Sequence, residues 1–301
     1  MAEVLAPPLP LRLLIDEALR HSRRHFRAIF PAVGIPLALL GGLLPLAQRP
    51  YFEVMGRTTT GGRPNPLEVL GGAGFMIAAS FLFLLVYALG YSVMLAGALD
   101  AVAGRAVSMR RAWRTIVAPR ALGTLFLCWF VFAWGFACCL LPGVYLGLLW
   151  SLVVPVMVEE GLYGTSAMQR SGDLTSYNPQ RDWGSDPRVK VFLVIFVAWI
   201  CSYVASVVVQ LPVLSVQWIY MWREMAAGRR PDPTALMLKL TWLQVPSQML
   251  GMLVHTAVNL YVSVGLALLY FDVRRRREGA DLEAGIAALE PPPAAPESGA
   301  P

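Results

Sequence analysis

Few side chains in this sequence sit where they could do chemistry, and most of those interrupt long apolar runs. Ala198, Ser202, Ser206 and Gln210 follow one another at steps of four, and so do Gly251, His255, Asn259 and Ser263. A four-residue step keeps side chains on one face of a helix. Polar groups in an apolar layer cost free energy unless they find partners, so Ser202, Ser206, Gln210, His255 and Asn259 form the candidate polar cluster. Two chemistries suit it. One is hydrogen-bonded glue between helices, and the other is a polar pathway or headgroup pocket in which His255 titrates. The first is favoured, because a transport path normally adds a carboxylate or cation in mid-span and neither stripe has one.

Catalytic and metal chemistry find no support. His255 has no second His, Cys or carboxylate within a helical turn, and no Gly-x-Ser-x-Gly elbow occurs. Cys128, Cys138, Cys139 and Cys201 lie in or beside apolar runs without the spacing of a zinc or redox site, and read as small packing residues. The expectation is a non-enzymatic protein with no cofactor.

The elements that position these residues are read from hydropathy. Of 301 residues, 56% are apolar and only 15% charged, with a mean hydropathy of +0.56. Soluble domains are about a quarter charged. Six apolar stretches approach the roughly 20 residues that cross a bilayer: 28–47, 73–99, 121–141, 144–158, 191–214 and 245–271. Pro142-Gly143 reads as a tight turn between the third and fourth, and Gly143-x-x-x-Gly147 as close packing of the fourth on the third. The fold class is therefore all-α: a polytopic membrane protein with six transmembrane helices in three hairpins and cytoplasmic amphipathic helices. The N-terminal segment lacks a signal-peptide design, so the first span is expected to stay as an anchor.

The net charge of +6 comes from 25 basic and 19 acidic residues, and all but Lys190 and Lys239 of the basic ones are Arg. This bias suits a GC-rich bacterial genome. The Arg gather at the ends of apolar runs, which argues for headgroup contact and topology and against nucleic acid. With both termini cytoplasmic, the inner connections carry five, five, four and four basic residues and the outer ones three, none and four. That imbalance places both ends in the cytoplasm of a bacterial inner membrane.

Three basic amphipathic segments precede the odd-numbered spans, at 11–27, 108–120 and 165–174, as if one unit were repeated. With the end of the last span they supply the basic residues expected to face anionic lipid or a protein partner: Arg20, Arg23, Arg24, Arg110, Arg111, Arg114, Arg274, Arg275, Arg276 and Arg277. Glu159, Glu160, Glu278, Asp281 and Glu283 are expected to pair with neighbouring Arg. Trp218, Tyr220 and Trp222 beside Arg223, followed by apolar 235–242, read as an outer interfacial lid. Residues 284–301, rich in Pro and Ala, should be disordered.

Three segments resemble a family of bacterial multi-pass proteins related to the membrane domain of glycerophosphoryl diester phosphodiesterases. They are Leu14-Ile15-Asp16-Glu17-Ala18-Leu19-Arg20 with His25-Phe26-Arg27; Leu141-Pro142-Gly143-Val144-Tyr145 continuing to Glu159-Glu160-Gly161; and Tyr270-Phe271-Asp272-Val273-Arg274 through Glu283. The resemblance implies a helical membrane domain that in some relatives accompanies a soluble phosphodiesterase domain. That soluble domain is an α/β barrel of about 250 residues, and no stretch of this chain matches one. The reading that follows is a membrane scaffold or accessory module, with a small transporter or lipid-handling protein as the alternative.

Overall fold

The computed structural model describes residues 9–59, 65–138, 140–176, 186–228 and 233–278, and among these it contains helices and no strand. The helices are α1 (Leu11–Thr59), α2 (Pro66–Val102), α3 (Met109–Val117), α4 (Pro119–Cys138), α5 (Leu140–Leu149), α6 (Val153–Glu159), α7 (Thr165–Thr175), α8 (Pro187–Ala226) and α9 (Pro233–Glu278). Local sequence sets several starts. Asn65 accepts a hydrogen bond from the Leu67 amide at 3.0 Å with Pro66 as the first helical residue. Asp186 accepts one from the Arg188 amide at 2.9 Å ahead of Pro187. In both, the cap oxygen takes a free amide and the proline occupies the position where an N–H would be unused.

Five helices or helical stretches are long and apolar enough to cross a membrane: α1, α2, Leu141–Glu159, α8 and α9. The pair α3 and α4, bent by 70°, makes a sixth by length and composition if it is counted as one broken span. Parity supports that number. The Leu9 amide donates to Asp272 Oδ1 at 3.4 Å and Lys190 Nζ donates to the Leu9 carbonyl at 2.8 Å. The start of α1, the start of α8 and the end of α9 therefore share one end of the molecule, here termed the terminal face. A chain that begins and ends on one face crosses an even number of times.

The fourth span departs from the sequence reading. The helix is already formed at Leu140, so Pro142-Gly143 lies inside the first turns of α5 and not in a turn. A proline this near a helix start removes an amide that has no intrahelical partner anyway. The span then breaks at Trp150 to Leu152 into α5 and α6. The expected packing of the hairpin holds: a Cβ on Gly135 would lie 3.2 Å from the Gly143 Cα, and one on Gly147 would lie 2.8 Å from the Phe132 ring.

Two further expectations change. The basic segment 11–27 is not a separate helix but the first turns of α1, whereas α3 and α7 do stand apart from the spans that follow them. The outer lid is likewise not a separate element. Residues 215–226 continue α8 and 236–244 continue α9, and the two extensions meet where Lys239 Nζ lies 5.5 Å over the Tyr220 ring. In each case the helix runs on through a nearby proline, Pro31, Pro212 or Pro246, which interrupts the backbone ladder without ending the helix. Residues 284–301 lie outside the described residues.

Helix α1 cannot run straight along α9. A Cβ on Gly265 would lie 3.9 Å from Ala18, and one on Gly41 would lie 2.5 Å from Met252. The α1 side of that interval is about 35 Å long and the α9 side about 20 Å at 1.5 Å per residue. Pro31 and Pro36 lie within that interval of α1, and prolines are where a helix bends most readily. There Val33 and Leu37 pack toward Gly90 of α2, and Ile29 toward Gly97.

The core gathers toward the terminal face. Leu14, Ile29, Leu99, Ile116, Leu152, Leu174, Val191 and Tyr270 are fully buried, whereas Leu67, Leu70, Phe75, Ile77 and Phe81 in the first half of α2 are exposed. Apolar side chains facing lipid gain nothing from being covered, while those near an aqueous face do.

Candidate functional site

Tyr87 of α2 forms the centre of the polar cluster. Its hydroxyl lies 2.8 Å from His255 Nε2 and accepts from Asn259 Nδ2 at 2.6 Å. The two rings lie 5.7 Å apart, 23° from parallel. An amide nitrogen can only donate, so the Tyr87 oxygen accepts from Asn259 while its contact with His255 Nε2 completes the hydrogen-bonded triad. Below this level Ser263 donates to the Asn259 carbonyl at 2.9 Å, which leaves the buried serine satisfied within α9.

The two stripes therefore do not form a cleft with each other. α8 does pack on α9: Ser247 donates to the Val209 carbonyl at 3.4 Å, and Val194 faces Gly265. This register sets His255 level with Ser202. Ser202 is buried, but Ser206 is only half-buried and Gln210 is exposed, while His255 and Asn259 turn to α2. A four-residue step drifts round a helix of 3.6 residues per turn, so a stripe can address different neighbours along its length. Tyr87 was missed in the sequence. Its one signal was a phenol placed mid-run, whose hydroxyl requires a partner when buried.

The terminal face holds a second polar system. Arg105 bonds Asp100 at 2.9 Å and grips both oxygens of Glu159, tying the end of α2 to the end of α6. Arg170 of α7 bonds Glu160 at 2.8 Å and also Glu278, which Arg274 holds at 2.9 Å. The fully buried Tyr270 donates to Glu160 at 2.9 Å and accepts from Arg274 at 3.2 Å. Expected pairings of Glu159, Glu160 and Glu278 with Arg are thus present; Asp281 and Glu283 lie outside the described residues.

Electrostatics follow this geometry. Hydrogen bonding to Glu159 raises the Arg105 pKa and outweighs partial burial, with the Asp100 and Glu159 charges adding to it. Burial opposes the Arg170 charge, but Glu160 and Glu278 overcome it and raise that pKa as well. Both guanidiniums are fixed cations between carboxylates.

The ten basic residues divide. Arg20, Arg23, Arg24, Arg110, Arg111, Arg114 and Arg275 are exposed, Arg20 also reaching Glu17 at 3.1 Å. Three do not face outward as expected. Arg274 is held by Glu278, Arg276 is buried against Asp272 at 2.7 Å, and Arg277 lies 3.8 Å from Asp173 of α7. A run of four arginines on a helix covers more than one turn, so part of it must face the neighbouring helices.

Among the described residues no three His, Cys, Asp or Glu side chains group as a metal would require. Cys128 and Cys201 are free thiols, and Cys201 is exposed on α8 rather than packed; Cys139 and the Cys138 side chain lie outside what is described.

Fold and site together define a class: an all-α, multi-pass membrane protein held by a polar triad within the spans and an ion-pair girdle at one face. No family model, no curated protein and no solved structure matches this chain.

Proposed function

We propose that the protein is a non-catalytic module of the bacterial cytoplasmic membrane whose terminal face lies in the cytoplasm and gathers anionic phospholipid. The observation that carries this reading is the division of the arginines. Those on α3 are organised for a surface: Ala112 and Ile116 are buried while Arg110, Arg111 and Arg114 face out. The start of α1 has the same design, with Leu14 and Ala18 buried, and with Arg20, Arg23 and Arg24 exposed beside Leu13, Leu19 and Phe26. Apolar side chains interleaved with cations suit the headgroup boundary, where each cation contributes about 1 kcal/mol of attraction to anionic lipid. The excess of basic residues on this side supports the orientation. The resemblance to membrane domains that accompany phosphodiesterases supports an accessory role.

The test is analysis of lipid retained by the purified protein from a mixed bilayer. Enrichment of phosphatidylglycerol that falls in Arg110→Gln/Arg111→Gln/Arg114→Gln, and falls again as salt rises, sustains the reading. Equal retention of anionic and zwitterionic lipid by the unaltered protein rejects it.

A further inference from the structure

A half-open cleft of about 550 Å³ opens on the terminal face between α1, the end of α2 and the end of α9. We propose that this cleft binds the phosphate of one phospholipid molecule, an inference that rests on the lipid-gathering reading and gives it a defined site.

The charges at its rim are Glu17, His21, Asp272, Arg275 and Arg276. Most are already committed. Arg276 holds Asp272 at 2.7 Å, and Glu17 is shared by Arg20 at 3.1 Å and His21 at 3.5 Å. Arg275 is different: it is exposed and has no ion-pair partner among the described residues. His21 Nδ1 lies 3.1 Å from the Glu17 carbonyl, which commits that ring nitrogen within α1. The unpaired Arg275 guanidinium is the donor, its planar fork matching a pair of phosphate oxygens.

The floor selects a lipid over a free anion. It is formed by Leu9, Val102, Leu268 and Phe271. Val102 is the last residue of α2, so the cleft lies where the spans leave the apolar layer. Its volume falls within the range of about 300–1,000 Å³ typical of small-molecule sites, ample for a glycerol phosphate and its first methylenes. The wall is preformed, because Leu9 is held from both sides by Lys190 and Asp272.

The experiment titrates the purified full chain in detergent with dihexanoyl phosphatidylglycerol, with inorganic phosphate in parallel, and counts bound molecules by native mass spectrometry. The expected result is one saturable equivalent of the lipid, weakened about tenfold by Arg275→Gln through loss of a charge-assisted hydrogen bond and abolished by Val102→Trp, which fills the floor. Unchanged affinity in both variants overturns the proposal, as does phosphate binding as tightly as the lipid. Bilayer enrichment measured on the same unaltered protein separates the two readings. Enrichment by the unaltered protein when no single saturable equivalent binds to it removes the cleft alone; enrichment missing from the unaltered protein removes the general reading.

Discussion

Tyr87 and His255 face each other across the α2–α9 interface, 2.8 Å from phenol oxygen to imidazole nitrogen, with Asn259 completing the triad from one turn further along α9. This makes the middle of the bundle depend on a hydroxyl that serves two partners at once. Tyr87→Phe should lower stability in detergent by about 1–2 kcal/mol, and the His255→Ala/Tyr87→Phe cycle should return a coupling near 0.6–1.7 kcal/mol. Thermal unfolding of the four proteins measures it, and additive losses would show that the contact is not an energetic pair.

Arg105 spans two carboxylates that are themselves largely shielded, with Asp100 and Glu159 side chains 7% and 10% exposed. Arg105→Ala leaves both without their cation and should cost about 3 kcal/mol. Arg20→Ala removes one end of an exposed pair, its side chain being 73% exposed, and should cost less than about 1 kcal/mol. The ranking of the two midpoints is the readout.

Glycines in α4 and α2 should respond with opposite signs. A Cβ at Gly135 meets the backbone of Gly143 at 3.2 Å, whereas nothing lies within 4 Å of one at Gly74. Gly135→Ala should destabilise by about 1–3 kcal/mol because backbone cannot swing aside. Gly74→Ala should be neutral or stabilising by up to about 1 kcal/mol through helix propensity.

Topology reporters provide a fourth check. Reporters at the two ends of the chain should give the same side, and one inserted between α4 and α5 should give the other. A reporter there that reads on the terminal side would make α4 and α5 a re-entrant hairpin and reduce the crossings to four.

The sequence by itself determined the class of fold. Runs of about twenty apolar residues can hide their backbone polar groups in lipid only as helices, and the even number of runs with alternating charge already put both ends together. The need of Glu159, Glu160 and Glu278 for cations was equally legible, because carboxylates at a helix C-terminus are unfavourable without one. Periodicity places a residue on a face but does not say which helix covers that face. Only the tertiary structure decided that His255 and Asn259 address Tyr87 on α2 and not the serines of α8, and that Arg276 turns inward while Arg275 stays open. Neighbour choice in a bundle is settled by close packing, here by Gly41, Gly90 and Gly265 admitting side chains from other helices, and such long-range fits leave no periodic trace in the chain.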